Sequence, residues 1–279
     1  MISEKIGFIG GGNMARAIAG GLLRGGMHAT DVFIAEPLEA QRERLRDEFR
    51  GVTVSGDNAR VAAAADIVLF AVKPQILKPV CRGLADTVQA HKPLIMSIAA
   101  GPRVADIDDW LGGGMGIVRV MPNQPALVDQ GVSALIANER AGERERGLAE
   151  RIMSAVGEVV WLDDEDLMDA VTAVSGTGPA YFYLMIDMLI DAATEFGIDG
   201  DTARTLAVET ARGAASLAAA ERETMKTLIG RVGSPGGTTM AACESLGAAG
   251  VRDIFAAAVV AARDRAVELA GMARTDDAQ

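Results

Sequence analysis

Histidine and cysteine are scarce, with two of each in 279 residues. His28 and His91 both lie near turn signals, so neither a histidine metal cluster nor a Ser-His-Asp arrangement is expected. The chemistry of this chain does not lean on imidazole. Cys81 and Cys243 each sit among apolar neighbours and read as buried free thiols, which fits a reducing compartment. Long apolar runs are missing too. Ile254–Ala262, flanked by Asp253 and Arg263, falls well short of the ~18 residues that span a bilayer. The N-terminus enters a strand pattern with no basic n-region or long h-region, so no secretory signal and a cytoplasmic location are expected. Basic charge is outweighed, 27 Lys and Arg against 38 Asp and Glu, a net charge of −11. That disfavours nucleic acid or an anionic membrane as partner.

What the chain does contain is small and aliphatic residues, in a length sufficient for two domains. Its organising stretch is Lys5-Ile6-Gly7-Phe8-Ile9-Gly10-Gly11-Gly12-Asn13-Met14-Ala15. Ile6, Phe8 and Ile9 form the apolar run of a buried parallel strand, and a helical pattern begins near Met14. Gly10, Gly12 and Ala15 then read as G-x-G-x-x-A across a strand-to-helix turn. Gly10 permits the tight turn, Gly12 lets backbone approach a pyrophosphate, and Ala15 allows close helix–strand packing. The first helical N–H groups, near Asn13 and Met14, face the phosphates.

A second strand, Val32–Ala35, ends at Glu36. A carboxylate there can accept hydrogen bonds from ribose hydroxyls and repel a 2′-phosphate, favouring NADH over NADPH. Arg42 and Arg44 lie within reach to offset this, and the plainer alternative makes Glu36 a first-turn acid of the next helix. Val52–Val54 is a short strand, Asp57-Asn58 starts a helix, and Asp66–Val72 is the clearest buried strand. The last ends beside Ala71 at Lys73-Pro74, on the carboxyl edge where open α/β sheets bind ligands. Strands at Leu94–Ile98 and Gly116–Val120 flank a helix at Val104–Leu111. Met121-Pro122-Asn123-Gln124-Pro125 follows, as a stiff wall for a flat ring or as ordinary turn chemistry. Val132–Ile136 and Val159–Leu162 are further strands, around a charged helix from Glu143 to Met153.

Strand–helix alternation ends near Asp163, which places a sheet domain at 1–163 and an all-helical domain at 164–279. Asp163–Asp166 reads as acids favouring a helix dipole rather than as a metal cluster. Helical patterns cover Tyr181–Phe196, Thr202–Ala220, Thr238–Leu246 and Asp253–Ala270, before an acidic tail at Thr275–Gln279. Two interruptions stand out. Ser175-Gly176-Thr177-Gly178 breaks a helix that restarts at Pro179. In Val232–Thr239, Ser234 is placed to cap and Pro235 to open the next helix. The small residues Gly236, Gly237, Thr238 and Thr239 leave backbone N–H groups able to hold a carboxylate, the alternative being a plain connector.

Together, Gly-Phe-Ile-Gly-x-Gly-Asn-Met-Ala, Val72-Lys73-Pro74, Arg119–Asn123 with Pro125-Ala126, Asp169–Tyr181 and Val232–Thr239 resemble the pyrroline-5-carboxylate reductases. These motifs occur in family order over nearly the whole chain. Thr177 stands where the family usually has Ser, and Glu223–Arg231 lacks its Pro-x-x-Leu-Lys/Arg-Asp approach to the Ser-Pro-Gly-Gly turn. The resemblance implies a Rossmann-type dinucleotide-binding domain followed by an all-α helical dimerisation domain. It further implies NADPH- or NADH-dependent reduction of L-1-pyrroline-5-carboxylate to L-proline, with Glu36 tilting towards NADH. The implied cofactor set is Gly10, Gly12, Asn13, Met14, Ala15 and Glu36, with Asn58, Ala71, Lys73, Pro74, Met121 and Asn123. Ser234, Gly236, Gly237, Thr238 and Thr239 are implied to hold the substrate carboxylate, and Thr172 to bond the imine nitrogen and relay its proton. Thr172 as a helical Thr bonding its own backbone is the structural alternative. No metal is implied, and the family's active site lies between the sheet domain and helices that interlock in a homodimer, further assembled into rings. Besides reduction of a related cyclic imine such as the six-membered homologue, two competitors are a β-hydroxyacid-type oxidoreductase and a non-catalytic dinucleotide sensor. The first relies on a helical-domain lysine, but past Asp163 only Lys226 occurs, outside both interruptions. The second has no need of both glycine-rich turns.

Overall fold

The computed structural model describes residues 2–275, with side chains through Gly271; the tail 276–279 lies outside them. Eight strands form one sheet: β1 (Ile6–Ile9), β2 (Val32–Ala35), β3 (Thr53–Ser55), β4 (Ile67–Phe70), β5 (Leu94–Ser97), β6 (Ile117–Met121), β7 (Gly131–Ala137) and β8 (Gly157–Trp161). Their order is β3-β2-β1-β4-β5-β6-β7-β8. Strands β1 to β6 are parallel, β7 runs antiparallel to β6, and β8 is parallel to β7. The first six reproduce the order of a dinucleotide-binding sheet.

Helices α1 (Asn13–Arg24), α2 (Glu39–Glu48), α3 (Asn58–Ala64), α4 (Pro74–His91), α5 (Val104–Trp110) and α6 (Glu143–Ser154) flank the sheet. Pleating divides its side chains between two cores. On one face Ile6, Phe8, Ile67 and Leu69 pack with Ile18, Leu22 and Ile152. On the other, Ile9, Val68 and Phe70 pack with Leu77, Ile107 and Trp110. Each such side chain contributes about 1.5–3 kcal/mol by leaving water. Gly7 is required beneath α3, since a Cβ there would lie 2.9 Å from the Ala65 methyl. Cys81 is buried, and desolvation pushes its thiol up to about 12. Cys243, expected to be buried, is exposed on a helix, whose apolar residues do not cover it.

The remaining helices are α7 (Met168–Val171), α8 (Gly178–Glu195), α9 (Gly200–Ala220), α10 (Met225–Val232), α11 (Thr238–Ala248) and α12 (Val251–Thr275). The sheet ends at Trp161, close to Asp163, but the compact units divide elsewhere. One unit is the chain to Gly176 with the stretch from Ala262; the other is Thr177–Ala261. Residues 164–176 belong with the sheet because two ion pairs fasten them to it. Within the second unit α8 packs on α9, and Tyr181 meets Phe255 edge to face at 5.2 Å. Phe182, Leu184, Met185, Met188 and Leu189 of α8 stay exposed, a contiguous apolar face that no described residue of the chain covers. No single helix among the described residues is long and apolar enough to cross a membrane; one bent pair, Thr238–Ala248 with Val251–Gly271, passes by length and composition only.

Candidate active site

Because β1, β2, β4 and β6 are parallel, their carboxyl ends bring Gly10, Glu36, Ala71 and Met121 to a single edge. Gly10 has φ +106°, and a Cβ there would sit 2.7 Å from the Ala71 carbonyl oxygen. Only glycine fits both constraints. Gly12 differs: its φ is −71°, nothing lies within 4 Å of its would-be Cβ, and it caps α1 without a side-chain acceptor. The first N–H groups of α1, from Asn13 onward, therefore open onto empty space beside an exposed glycine. That cradle fits a diphosphate. Ala15 is fully buried against the sheet.

Glu36 is half-buried, with α2 starting only at Glu39, so it is not a first-turn acid. One carboxylate oxygen accepts from the Gly11 N–H at 3.1 Å and the other from the Leu38 N–H at 3.1 Å. Arg42, one of the two arginines expected to offset it, donates to the carbonyls of Glu36 and Pro37, both at 2.7 Å, and pairs with Glu39. Asn58 opens α3 behind Asp57, whose carboxylate caps the helix by accepting from Ala59 and Arg60 N–H groups. Lys73 is exposed at the N-cap of α4, and Pro74 takes its first position.

Beyond β6 the Asn123 carboxamide is committed to backbone. Its oxygen accepts from the Val132 N–H at 2.9 Å and its nitrogen donates to the Ser175 carbonyl at 3.2 Å. The helix break expected at Ser175 is a π-helical turn over Thr172–Gly176. Thr172 opens it, and its hydroxyl donates to the Met168 carbonyl at 2.9 Å. The backbone-bonding alternative for this threonine is thus present in the fold.

Two residues without an assigned role hold this segment. Arg119 of β6 is buried, its side chain 5% exposed, and donates to Glu165 at 2.8 Å. Glu165 also accepts from the Val104 N–H at 2.9 Å. Arg103 pairs with Asp166, which keeps its guanidinium above the usual range despite partial desolvation. Glu165 and Asp166 are therefore ion-pair partners, while Asp164 accepts from the Asp166 N–H. An arginine inside the apolar run Ile117–Val120 was the available signal, since buried charge demands a partner.

The turn at Ser234 belongs to the other compact unit. Ser234 does not cap a helix and Pro235 does not open one. Gly236 has φ +72°, which no helix accommodates, and the Ser234 carbonyl accepts from the Gly237 N–H at 2.9 Å. Pro235 and Gly236 thus fill the two central positions of a type II turn. Helix α11 begins at Thr238, capped by Gly237 with no side-chain acceptor, so Thr238 and Thr239 carry first-turn N–H groups. No group of three or more metal-ligating side chains is assembled among the described residues.

The 3-2-1-4-5-6 sheet, the glycine-rich first turn and the acid ending β2 define a Rossmann-type oxidoreductase fold with a helical second part. Residues 5–101 match the family described as NADP oxidoreductase coenzyme F420-dependent, and residues 165–269 match pyrroline-5-carboxylate reductase dimerisation. The chain belongs to the pyrroline-5-carboxylate reductase family. The Pseudomonas aeruginosa pyrroline-5-carboxylate reductase is 43% identical over 97% of this chain and 98% of that one. The solved reductase of Coxiella burnetii superposes with a TM-score of 0.91 at 39% identity, covering 96% of this chain and 99% of that one. The Plasmodium falciparum pyrroline carboxylate reductase, solved with NADP bound, gives 0.85 at 27% identity, covering 97% and 99%.

Proposed function

We infer that this protein reduces L-1-pyrroline-5-carboxylate to L-proline with a pyridine nucleotide. The observation that carries this is near-complete, two-way coverage by the Pseudomonas aeruginosa pyrroline-5-carboxylate reductase at 43% identity. The bound dinucleotide supplies a hydride from its nicotinamide C4. The imine carbon C5 accepts that hydride while the ring nitrogen keeps a proton, leaving the secondary amine of proline. A protonated cyclic imine is already a good acceptor, so the protein's task is placement.

The turn from Gly10 to Ala15, with Asn13 and Met14, holds the diphosphate. Glu36 releases the Gly11 and Leu38 N–H groups and accepts from ribose hydroxyls, favouring NADH over NADPH, with Arg42 held away by two carbonyls. Asn58, Ala71, Lys73, Pro74 and Met121 border the rest of the cofactor at the sheet edge, and Asn123, its carboxamide engaged by the Val132 N–H and the Ser175 carbonyl, holds that edge in place. Ser234, Gly236, Gly237, Thr238 and Thr239 receive the substrate carboxylate with hydroxyl and N–H donors. Thr172 meets the ring nitrogen. With its hydroxyl on the Met168 carbonyl, its oxygen accepts from the iminium N–H, and rotation of that hydroxyl towards the ring would instead relay a proton. The exposed face of α8 pairs with a second copy, as the matched dimerisation family supports, and dimers assemble further into rings in the cytoplasm.

The test is loss of absorbance at 340 nm from NADH and from NADPH with pyrroline-5-carboxylate. Turnover is expected with both. Folded, dinucleotide-binding protein that turns over neither would end this assignment.

A further inference from the structure

We propose that Asn123 is a positioning residue of the reaction, acting through the π-helical turn rather than as a ligand of the cofactor. A π-helical turn is wider than an α-turn and persists only where neighbours hold it. Inside this one, the Thr172 and Ser175 hydroxyls donate to the carbonyls of Met168 and Val171, at 2.9 and 3.1 Å. The Ser175 carbonyl, in the widened turn itself, takes its bond from Asn123.

The identity of that side chain is dictated by what it faces. Val132 offers a donor and Ser175 an acceptor, so the group between them must accept on one side and donate on the other. Among short side chains only a neutral carboxamide does both from one planar group, and its orientation follows from the two partners. The anchor on β7 is firm. Gly131, next to Val132, lies so close to Ala126 that a Cβ would come within 3.0 Å of its backbone. The carboxyl end of β6 makes a second contact with the turn, because Met121 Cε lies 2.5 Å from where a Cβ on Gly176 would be. Asn123 thus joins the end of β6 to the turn that presents Thr172. This inference rests on the reductase assignment above.

Asn123→Asp keeps the acceptor facing Val132 and loses the donor to Ser175. With pyrroline-5-carboxylate, kcat/KM should fall at least tenfold while the dinucleotide Kd, read by fluorescence quenching, moves less than threefold. The deuterium isotope effect from nucleotide labelled at the transferred C4 hydrogen should rise. Combining Asn123→Asp with Thr172→Ala should cost no more than twofold beyond Thr172→Ala alone. A Kd rising in step with the loss of kcat/KM would make Asn123 a cofactor ligand and overturn the proposal, as would multiplicative losses in the double variant. Asn123→Ser is judged by the same criteria if the Asp variant does not fold; failure of both to fold overturns it too, making Asn123 a determinant of stability. Inactive wild-type protein would instead refute the reductase assignment, so the two failures are distinguishable.

Discussion

The Glu36 carboxylate reaches back over the glycine-rich turn and accepts the Gly11 N–H at 3.1 Å, so the residue that ends β2 also braces the turn after β1. Two consequences pull in different directions. The charge disfavours a 2′-phosphate, while the shape of the side chain supports the turn. Glu36→Gln separates them, because the amide oxygen still accepts while the charge is gone. Two unit charges 4 Å apart repel by about 1 kcal/mol in water and ~4 kcal/mol in a protein-like medium. The NADPH/NADH ratio of kcat/KM should therefore rise at least about fivefold. An unmoved ratio would show that Glu36 serves only the turn.

Gly10 and Gly12 share a motif but not a reason for being glycine. Gly10→Ala places a side chain at φ +106° against the Ala71 carbonyl. Such strain costs on the order of 1–3 kcal/mol, and thermal unfolding should report it as a lowered Tm. Gly12→Ala meets no protein atom, so its Tm should stay within a degree or so of wild type. Its dinucleotide KM should rise about tenfold or more, because the new methyl would stand in the cradle proposed to hold the diphosphate. Equal stability losses in the two variants would contradict this division.

Most strands were legible because they are short apolar runs bounded by turn residues, and the G-x-G-x-x-A turn because its spacing has one physical use. Helix α4 was hidden by Pro79, which lies inside it and reads as a stop. Helix α10 is short and polar-flanked, and Thr224 caps it with a local hydroxyl bond that composition does not announce. At Ser234 the residues were right and the geometry wrong, since Ser-Pro suits both a helix start and a turn; the positive φ of Gly236 decides it. The holding contacts of the site were illegible for another reason. Arg119 finds Glu165 and Asn123 finds Ser175 only after the chain has folded.

The Arg119–Glu165 pair carries a stability prediction. Its side chains are 5% and 19% exposed, and Glu165 also satisfies the Val104 N–H. Removing one partner leaves a buried charge, which costs about 3–5 kcal/mol. Glu165→Ala should show that loss in chemical denaturation. Arg119→Met with Glu165→Leu should recover much of it, because apolar groups of similar volume need no partner. A double variant as unstable as Glu165→Ala would mean that the Val104 bond, and not charge pairing, dominates.

Thr172 offers the sharpest test of the chemistry. Its hydroxyl donates to the Met168 carbonyl at 2.9 Å, and in the proposed reaction its oxygen accepts from the iminium N–H. An acceptor stabilises a cationic ring nitrogen, and hydrogen bonds to charged groups contribute ~1.5–3 kcal/mol. Thr172→Ala should then lower kcat/KM for pyrroline-5-carboxylate by about 10- to 150-fold, with dinucleotide affinity unchanged. Thr172→Ser keeps the hydroxyl and its bond to Met168 and should restore most of the activity. Were the residue instead a proton donor, its hydroxyl would have to leave Met168, and wild-type turnover would decline as pH rises and unprotonated imine accumulates less steeply than in Thr172→Ala. An acceptor predicts equal decline in both proteins, because each then depends on imine protonated before it binds. Comparing the two pH profiles of kcat/KM therefore decides between the roles.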